Sequence, residues 1–209
     1  LLFLGSGSVI HGLSGEQDMR RMGALRKLLP VTAATFIVGW LAIAGVPPFS
    51  GFWSKDEILL FAWAKSPVLW AVGLVTAVLT AFYMSRQVFM VFFGEARWDR
   101  PIEEAAPELA AEREAAGIHE GHGAGPTGAL HPHESPWTMT LPLLVLAGLA
   151  AVGGVLNLPM FDGWKVLEHW LYPVVHFGEA HPDVATGTKV GLAVVATLGA
   201  LVREAHPDA

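Results

Sequence analysis

The sequence predicts an all-α protein: a polytopic transmembrane helical bundle with one discontinuous, broken helix. Three observations predict it. Of 209 residues, 53% are hydrophobic and 15% charged, where soluble domains carry about 25% charged residues. Long apolar runs alternate with polar connections. Inside one apolar stretch, "GVPPFSGFWSKDEILL" at 45–60 places two prolines, two glycines and three ionisable groups where a span should cross lipid. The 23 glycines and 8 tryptophans suit close helix packing and interfacial anchoring. Cysteine is absent, which excludes disulfides and thiolate metal sites and is silent about redox compartment.

Taken in order, residues 1–13 ("LLFLGSGSVIHGL") read as the end of a transmembrane helix that closes at His11-Gly12. With no methionine and no basic flank before the apolar run, the opening does not resemble a signal peptide. It reads as the second half of a helix, and the chain as a piece of a longer one. Residues 14–29 form a polar connection carrying Arg20, Arg21, Arg26 and Lys27. Residues 30–64 are long enough for about 52 Å of continuous helix, against roughly 20 residues needed to cross the hydrocarbon. A discontinuous transmembrane helix broken near 45–54 fits them better. Pro47 and Pro48 remove donors and clash with the preceding turn, Gly45 and Gly51 permit irregular backbone, and Ser50 is a candidate cap for the resumed half, with Ser54 next.

Residues 67–93 form a further transmembrane helix, with Arg86 placed to snorkel near its far end. Residues 94–136 are an acidic, His-rich loop expected to be solvated and mostly disordered, with a short helix over "PELAAEREAA". Residues 137–156 are a transmembrane helix, 157–186 an interfacial connection with Trp164, Trp170 and Tyr172, and 187–202 a short apolar segment read as a truncated transmembrane helix.

The net charge of −6 belongs to one place, because residues 95–134 hold nine acids against Arg97, Arg100 and Arg113 while the rest balances. No basic stripe points to nucleic acid. The loops at 14–29 and 94–136 carry most of the basic residues, so the positive-inside rule puts both on the cytoplasmic side and 157–186 on the periplasmic side.

The charged helix break has two readings. Lys55, Asp56 and Glu57 are solvated in a loop between two short helices, or they are ionisable groups at a break within the membrane. Unwound backbone at that depth is tolerated only where protein or a watery cavity surrounds it. An intramembrane lysine costs about 2.5–3.5 kcal/mol on insertion scales and marks a pathway. Desolvation and a neighbouring carboxylate move a lysine's proton affinity in opposite directions, which is the chemistry of a proton relay, and broken helices recur in transporters. His11 either satisfies helix-end carbonyls or takes part in a proton path. His119, His122, His131 and His133 have H-x2-H and H-x-H spacings that permit zinc or nickel, but the flanking glycines supply no rigid scaffold and a solvated loop is the plainer reading. No nucleophile elbow, phosphate loop, dinucleotide fingerprint or H-E-x-x-H pattern is present, so autonomous catalysis is not expected.

"LLFLGSGSVIHGLSGEQDMRRMGALRK" followed by "GVPPFSGFWSKDEIL" resembles the L-type (NuoL) antiporter-like membrane subunit of respiratory complex I, the NADH:quinone oxidoreductase. The resemblance is specific over residues 1–60, compatible in hydropathy to about 157 and loose beyond. It implies a proton-translocating subunit in a bacterial inner membrane, with Lys55 as the lysine of the central polar axis, Asp56 as the adjacent acid toward the proton exit and His11 as the histidine of the family's helix end. Glu57 shares the motif without an assigned role. It also implies no cofactor or metal in this chain, with NADH, FMN, iron–sulfur clusters and quinone held by partner subunits, and an M-type antiporter-like neighbour. The family's His-x3-His-x3-Lys run would precede Leu1, and its earlier broken helix and lateral helix are not in these residues. Two alternatives stay open: the large subunit of an Mrp-type Na+/H+ antiporter, and a structural membrane-arm element that moves no ion.

Overall fold

The structure is a computed structural model that describes residues 1–99, 107–116 and 131–156, together with Trp170. The interfacial connection predicted at 157–186 (Trp170 apart), the helix predicted at 187–202, and His119 and His122 lie outside the described residues. All regular elements among the described residues are helical, with no strand. They are α1 (Leu2–Gly12), α2 (Pro30–Ala44), α3 (Ser50–Lys65), α4 (Pro67–Val88), α5 (Pro107–Ala115) and α6 (Trp137–Val152). Short 3-10 turns occur at Met19–Arg21, Leu25–Lys27 and Gly153–Leu156, and α4 continues as π-helix through Phe93.

Proline sets three of the helix starts. Pro30, Pro67 and Pro107 each occupy a first helical position, where the missing N–H costs nothing. Ser66 caps α4 by accepting the Val68 N–H at 3.3 Å. Pro67–Phe93 is 27 residues long, about 40 Å of helix, and is the one described helix long and apolar enough to cross a membrane. Pro30–Ala44 and Trp137–Val152 are shorter apolar helices.

The chain divides into two compact units, residues 1–39 with 86–147 and residues 40–85 with 148–209. In the first unit, Val9, Leu13, Leu25, Leu29, Phe36, Val88, Phe92 and Leu143 are each buried, and the Phe36 and Phe92 rings lie 5.4 Å apart. The connection after α1 is ordered by its own polar groups. Glu16 pairs with Arg21 at 3.2 Å, both side chains nearly sealed from solvent, and accepts the Gln17 and Asp18 N–H groups at 2.9 Å.

The described parts of the acidic loop carry specific contacts, which the expectation of a mostly disordered loop did not contain. The Arg97 guanidinium donates to the Met22, Met19 and Met90 carbonyls at 2.9, 3.4 and 3.3 Å, and the Trp98 indole donates to Gly23 at 2.8 Å. The physical reason is that turns leave carbonyls without helical partners, and Arg and Trp are donor-only side chains able to reach them. Gly23, at φ +139°, is obligatory, because a β-carbon there would stand 1.8 Å from the Glu95 carbonyl oxygen. Helix α5 is tied back by Glu112, which accepts from the Arg20 guanidinium at 2.8 and 3.2 Å.

In the second unit, Trp40 donates its indole N–H to Ser85 at 3.1 Å, and the Trp63 and Trp70 rings meet edge to face at 5.2 Å. Leu59 is buried, and Gly73 leaves room for its δ-carbon.

Candidate functional site

The junction between α2 and α3 is built from the backbone outward. Helix α2 ends in a Schellman motif. Gly45 takes φ +83°, its N–H donates to Ala42 at 3.1 Å, and the Val46 N–H donates to Leu41 at 3.0 Å. That motif satisfies the Leu41 and Ala42 carbonyls and leaves the next one, on Ile43. The Lys55 ammonium, one turn into α3, donates to this Ile43 carbonyl at 2.6 Å. A cation at a helix C-terminus also meets the negative end of the macrodipole, so hydrogen bond and field act together.

Two glycines make this closure possible for different reasons. A β-carbon on Gly45 would fall 3.4 Å from Lys55 Cδ, and the residue must be left-handed. A β-carbon on Gly51 would lie 1.8 Å from the Ala42 carbonyl oxygen, so only glycine lets the start of α3 approach the end of α2. Between them, Pro47 and Pro48 are joined by a cis peptide bond, and the Trp53 indole donates to the Pro48 carbonyl at 3.3 Å. Ser50 differs from its expected role. The cap position falls on Phe49 with no side-chain cap, and Ser50 is the first residue of α3. Ser54 lies 3.5 and 3.4 Å from the Ser50 and Gly51 carbonyls, long distances for a hydroxyl donor, so neither serine caps the helix.

Lys55 and Asp56 are both half-buried, and among the described residues no ion pair joins them. Consecutive helical positions point about 100° apart, which separates the two side chains around α3. The lysine therefore faces backbone, not its neighbouring acid.

His11 belongs to the other unit, in the last turn of α1 and exposed. Its ring meets the His133 ring edge to face, centroids 5.6 Å apart. The backbone around that pair forms a clasp. The His133 N–H donates to the Gly12 carbonyl at 3.1 Å, and a β-carbon on Gly12 would stand 2.6 Å from the His133 carbonyl oxygen. Glu134 accepts the Val31 N–H at 2.8 Å, the Thr32 N–H at 3.3 Å and the Thr32 hydroxyl at 2.6 Å. The Ser8 hydroxyl lies 2.7 Å from the Thr32 hydroxyl and 2.6 Å from that of Ser135, which also contacts the Ser8 carbonyl at 3.1 Å.

Sequence reasoning missed this cluster because its members are single small polar residues in apolar runs. Only Glu134, the last acid before an apolar helix, offered a signal. Among the described residues no group of three or more His, Cys, Asp or Glu side chains could hold a metal ion.

The sequence model of the family described as "NADH:quinone oxidoreductase/Mrp antiporter, TM" matches residues 1–80. NAD(P)H-quinone oxidoreductase chain 5 of Picosynechococcus sp. is 48% identical over 168 residues, covering 76% of this chain and 24% of that protein. Chain 5 of Synechocystis sp. is 40% identical over 93% of this chain and 32% of its own length. NADH-quinone oxidoreductase subunit L of Mycobacterium tuberculosis is 40% identical over 95% of this chain and 26% of its own length. The chain belongs to this family of transmembrane oxidoreductase and antiporter subunits and is a membrane protein. Within the family its relatives are the chain 5 and L subunits of the quinone oxidoreductases. It spans between 24% and 32% of the length of these three relatives.

Proposed function

We propose that this chain is part of a proton-translocating, antiporter-like subunit of a NADH:quinone oxidoreductase, working in a bacterial inner membrane beside other membrane-arm subunits, an M-type antiporter-like neighbour among them. The observation that carries the reading is the Lys55 ammonium held at 2.6 Å on the Ile43 carbonyl, between two helices read as halves of one discontinuous span. The carbonyl stabilises the charged lysine without neutralising it. A proton can then be loaded and released as charges in neighbouring segments change, with no ion pair to break.

Asp56, the next residue on α3, is the acceptor toward the exit side, and His11 serves the proton path in its own unit. Spans at 30–64, 67–93 and 137–156, with 14–29 and 94–136 on the cytoplasmic side, complete the arrangement. NADH, FMN, iron–sulfur clusters and quinone belong to partner subunits, and this chain contributes proton movement alone. The chain 5 and L relatives favour this reading over an Mrp-type antiporter.

The test is Lys55→Met in the complete complex, assayed in membrane vesicles for protons moved per NADH oxidised. The translocation contributed by this subunit should fall roughly tenfold or more, the scale of losing a proton-transfer group, with assembly intact. Unchanged stoichiometry in the assembled variant would refute the role of Lys55.

A further inference from the structure

We propose that Arg26, Lys27, Arg86, Phe89 and Phe93 form a binding site for an anionic phospholipid, at the end of α4 that leads into the acidic loop. All five lie in the first unit. The Arg26 guanidinium stands over the Phe93 ring, its Cζ 5.0 Å from the centroid, within the range of a cation–π contact. The Phe89 ring lies 5.5 Å from that of Phe93. Arg86 precedes Phe89 by three positions, which puts both on one side of the helix. The three cations are exposed, and Phe89 and Phe93 are 46% and 40% exposed.

These cations differ from the other arginines of the unit. Arg20 and Arg21 pair with carboxylates, and Arg97 donates to main-chain carbonyls. Among the described residues, no carboxylate, Glu95 included, pairs with Arg26, Lys27 or Arg86, and no oxygen accepts a hydrogen bond from them. Stacking occupies one face of the Arg26 guanidinium and leaves the N–H donors along its edge. That edge is the part of an arginine that grips two phosphate oxygens at once.

Depth decides where the phosphate comes from. Pro67–Phe93 is 27 residues long, and about 20 residues cross the hydrocarbon. The excess is roughly seven residues, about two turns. A charged Arg86 is costly at hydrocarbon depth, so the excess belongs at its end, with Arg86–Phe93 reaching headgroup level. A phosphate at that level is a lipid phosphate, and the two exposed rings offer its acyl chains an apolar surface that a soluble anion does not use. The side is the one proposed above as cytoplasmic, where the leaflet carries negative charge. The site takes only that orientation from the proposed function and does not depend on Lys55. A basic helix end that merely snorkels to water would meet the same lipids whatever their headgroup charge.

The complete complex, reconstituted in phosphatidylcholine vesicles, tests this. The vesicles carry a minor fraction of photoreactive phosphatidylglycerol, or of photoreactive phosphatidylcholine with the same chains. Labelling is read by mass spectrometry on the peptides that contain Arg26 and Phe93. Phosphatidylglycerol should label both several-fold more strongly, and excess inorganic phosphate should leave that labelling unchanged. Arg26→Gln should lower the preference about fivefold, the effect of one basic residue at an anionic lipid surface. Phe93→Leu should lower it too, and Phe93→Tyr, which restores a ring face, should keep it. Equal labelling by the two lipids in the unmutated complex overturns the site, as does a preference that survives Arg26→Gln combined with Lys27→Gln. Labelling by neither lipid shows a protein neighbour over the patch, and displacement by inorganic phosphate shows a site for soluble anions; either overturns it. Should the variants fail to assemble, the comparison of the two lipids in the unmutated complex decides. Lys55→Met should keep the lipid preference, so failure of this site and failure of the proposed function are told apart.

Discussion

At Gly51 a β-carbon would stand 1.8 Å from the Ala42 carbonyl oxygen, backbone against backbone, with no flexible side chain to move aside. Gly51→Ala should therefore cost more than the ~1–3 kcal/mol of ordinary overpacking, seen as a lower thermal midpoint of the complex and less assembled subunit. Gly45→Ala is milder, because its contacts are with the Lys55 side chain and the penalty is the left-handed backbone, about 1–2 kcal/mol. Its sharper effect is expected on proton translocation, because the added methyl would lie in contact with the side chain of the lysine that reaches Ile43. Both glycines were legible in the sequence as places of backbone freedom beside two prolines. Their separate reasons were not, because one depends on a left-handed helix end and the other on where a second helix lands. Lys55 was equally legible, but its partner is a main-chain oxygen, and every residue carries one. The Ser50 cap was misjudged for a related reason. Capping residues are recognised by type, and here the chain enters α3 one residue earlier, at Phe49. The Glu16–Arg21 pair carries a different expectation. Glu16→Ala removes the carboxylate paired with a buried guanidinium and should destabilise by about 3–5 kcal/mol, measured by thermal unfolding of the complex.

Among the described elements, α5 has an attachment that responds to pH. The Arg20 hydrogen bond, then its charge, holds the Glu112 carboxyl below its ordinary 4.5. The same contact, followed by Asp18, raises the Arg20 guanidinium above its usual value. A carboxyl lowered in the folded state contributes its stabilisation fully above its ordinary pKa and loses it as pH falls through the lowered value. Both groups are exposed, so the effect is modest and screened by salt. Relative to the unprotected rate, amide exchange in Pro107–Ala115 should accelerate as pH falls below 4.5 and through the lowered carboxyl value, and in concentrated salt at neutral pH. Glu112→Gln should give the accelerated rate at every pH. An exchange rate indifferent to salt, pH and Glu112→Gln would show that other contacts hold the helix. The short helix itself was legible from "PELAAEREAA", with proline first and Glu108 in the opening turn. Its tether was not, because Arg20 and Glu112 are 92 positions apart and neither stands out from other surface charges.

At the scale of the whole molecule, apolar runs and their interruptions carried the helical class, since hydropathy reports the length of a segment and proline and glycine report its ends. Pairing across distance lay outside that signal, as the Ser8–Ser135 hydrogen bond demonstrates across 127 positions. That separation also has a meaning in time. Chains are synthesised at about 5–20 residues per second, so roughly ten seconds pass between the appearance of Ser8 and that of Ser135. Over that interval α1 and α2 have neither the carboxylate that accepts the Val31 and Thr32 N–H groups nor the Ser135 hydroxyl that meets Ser8. Unit one is thus finished late, from its own downstream segment, and a ribosome stalled within the acidic loop before residue 134 leaves the first two helices without the Glu134 and Ser135 groups that meet their buried hydroxyls.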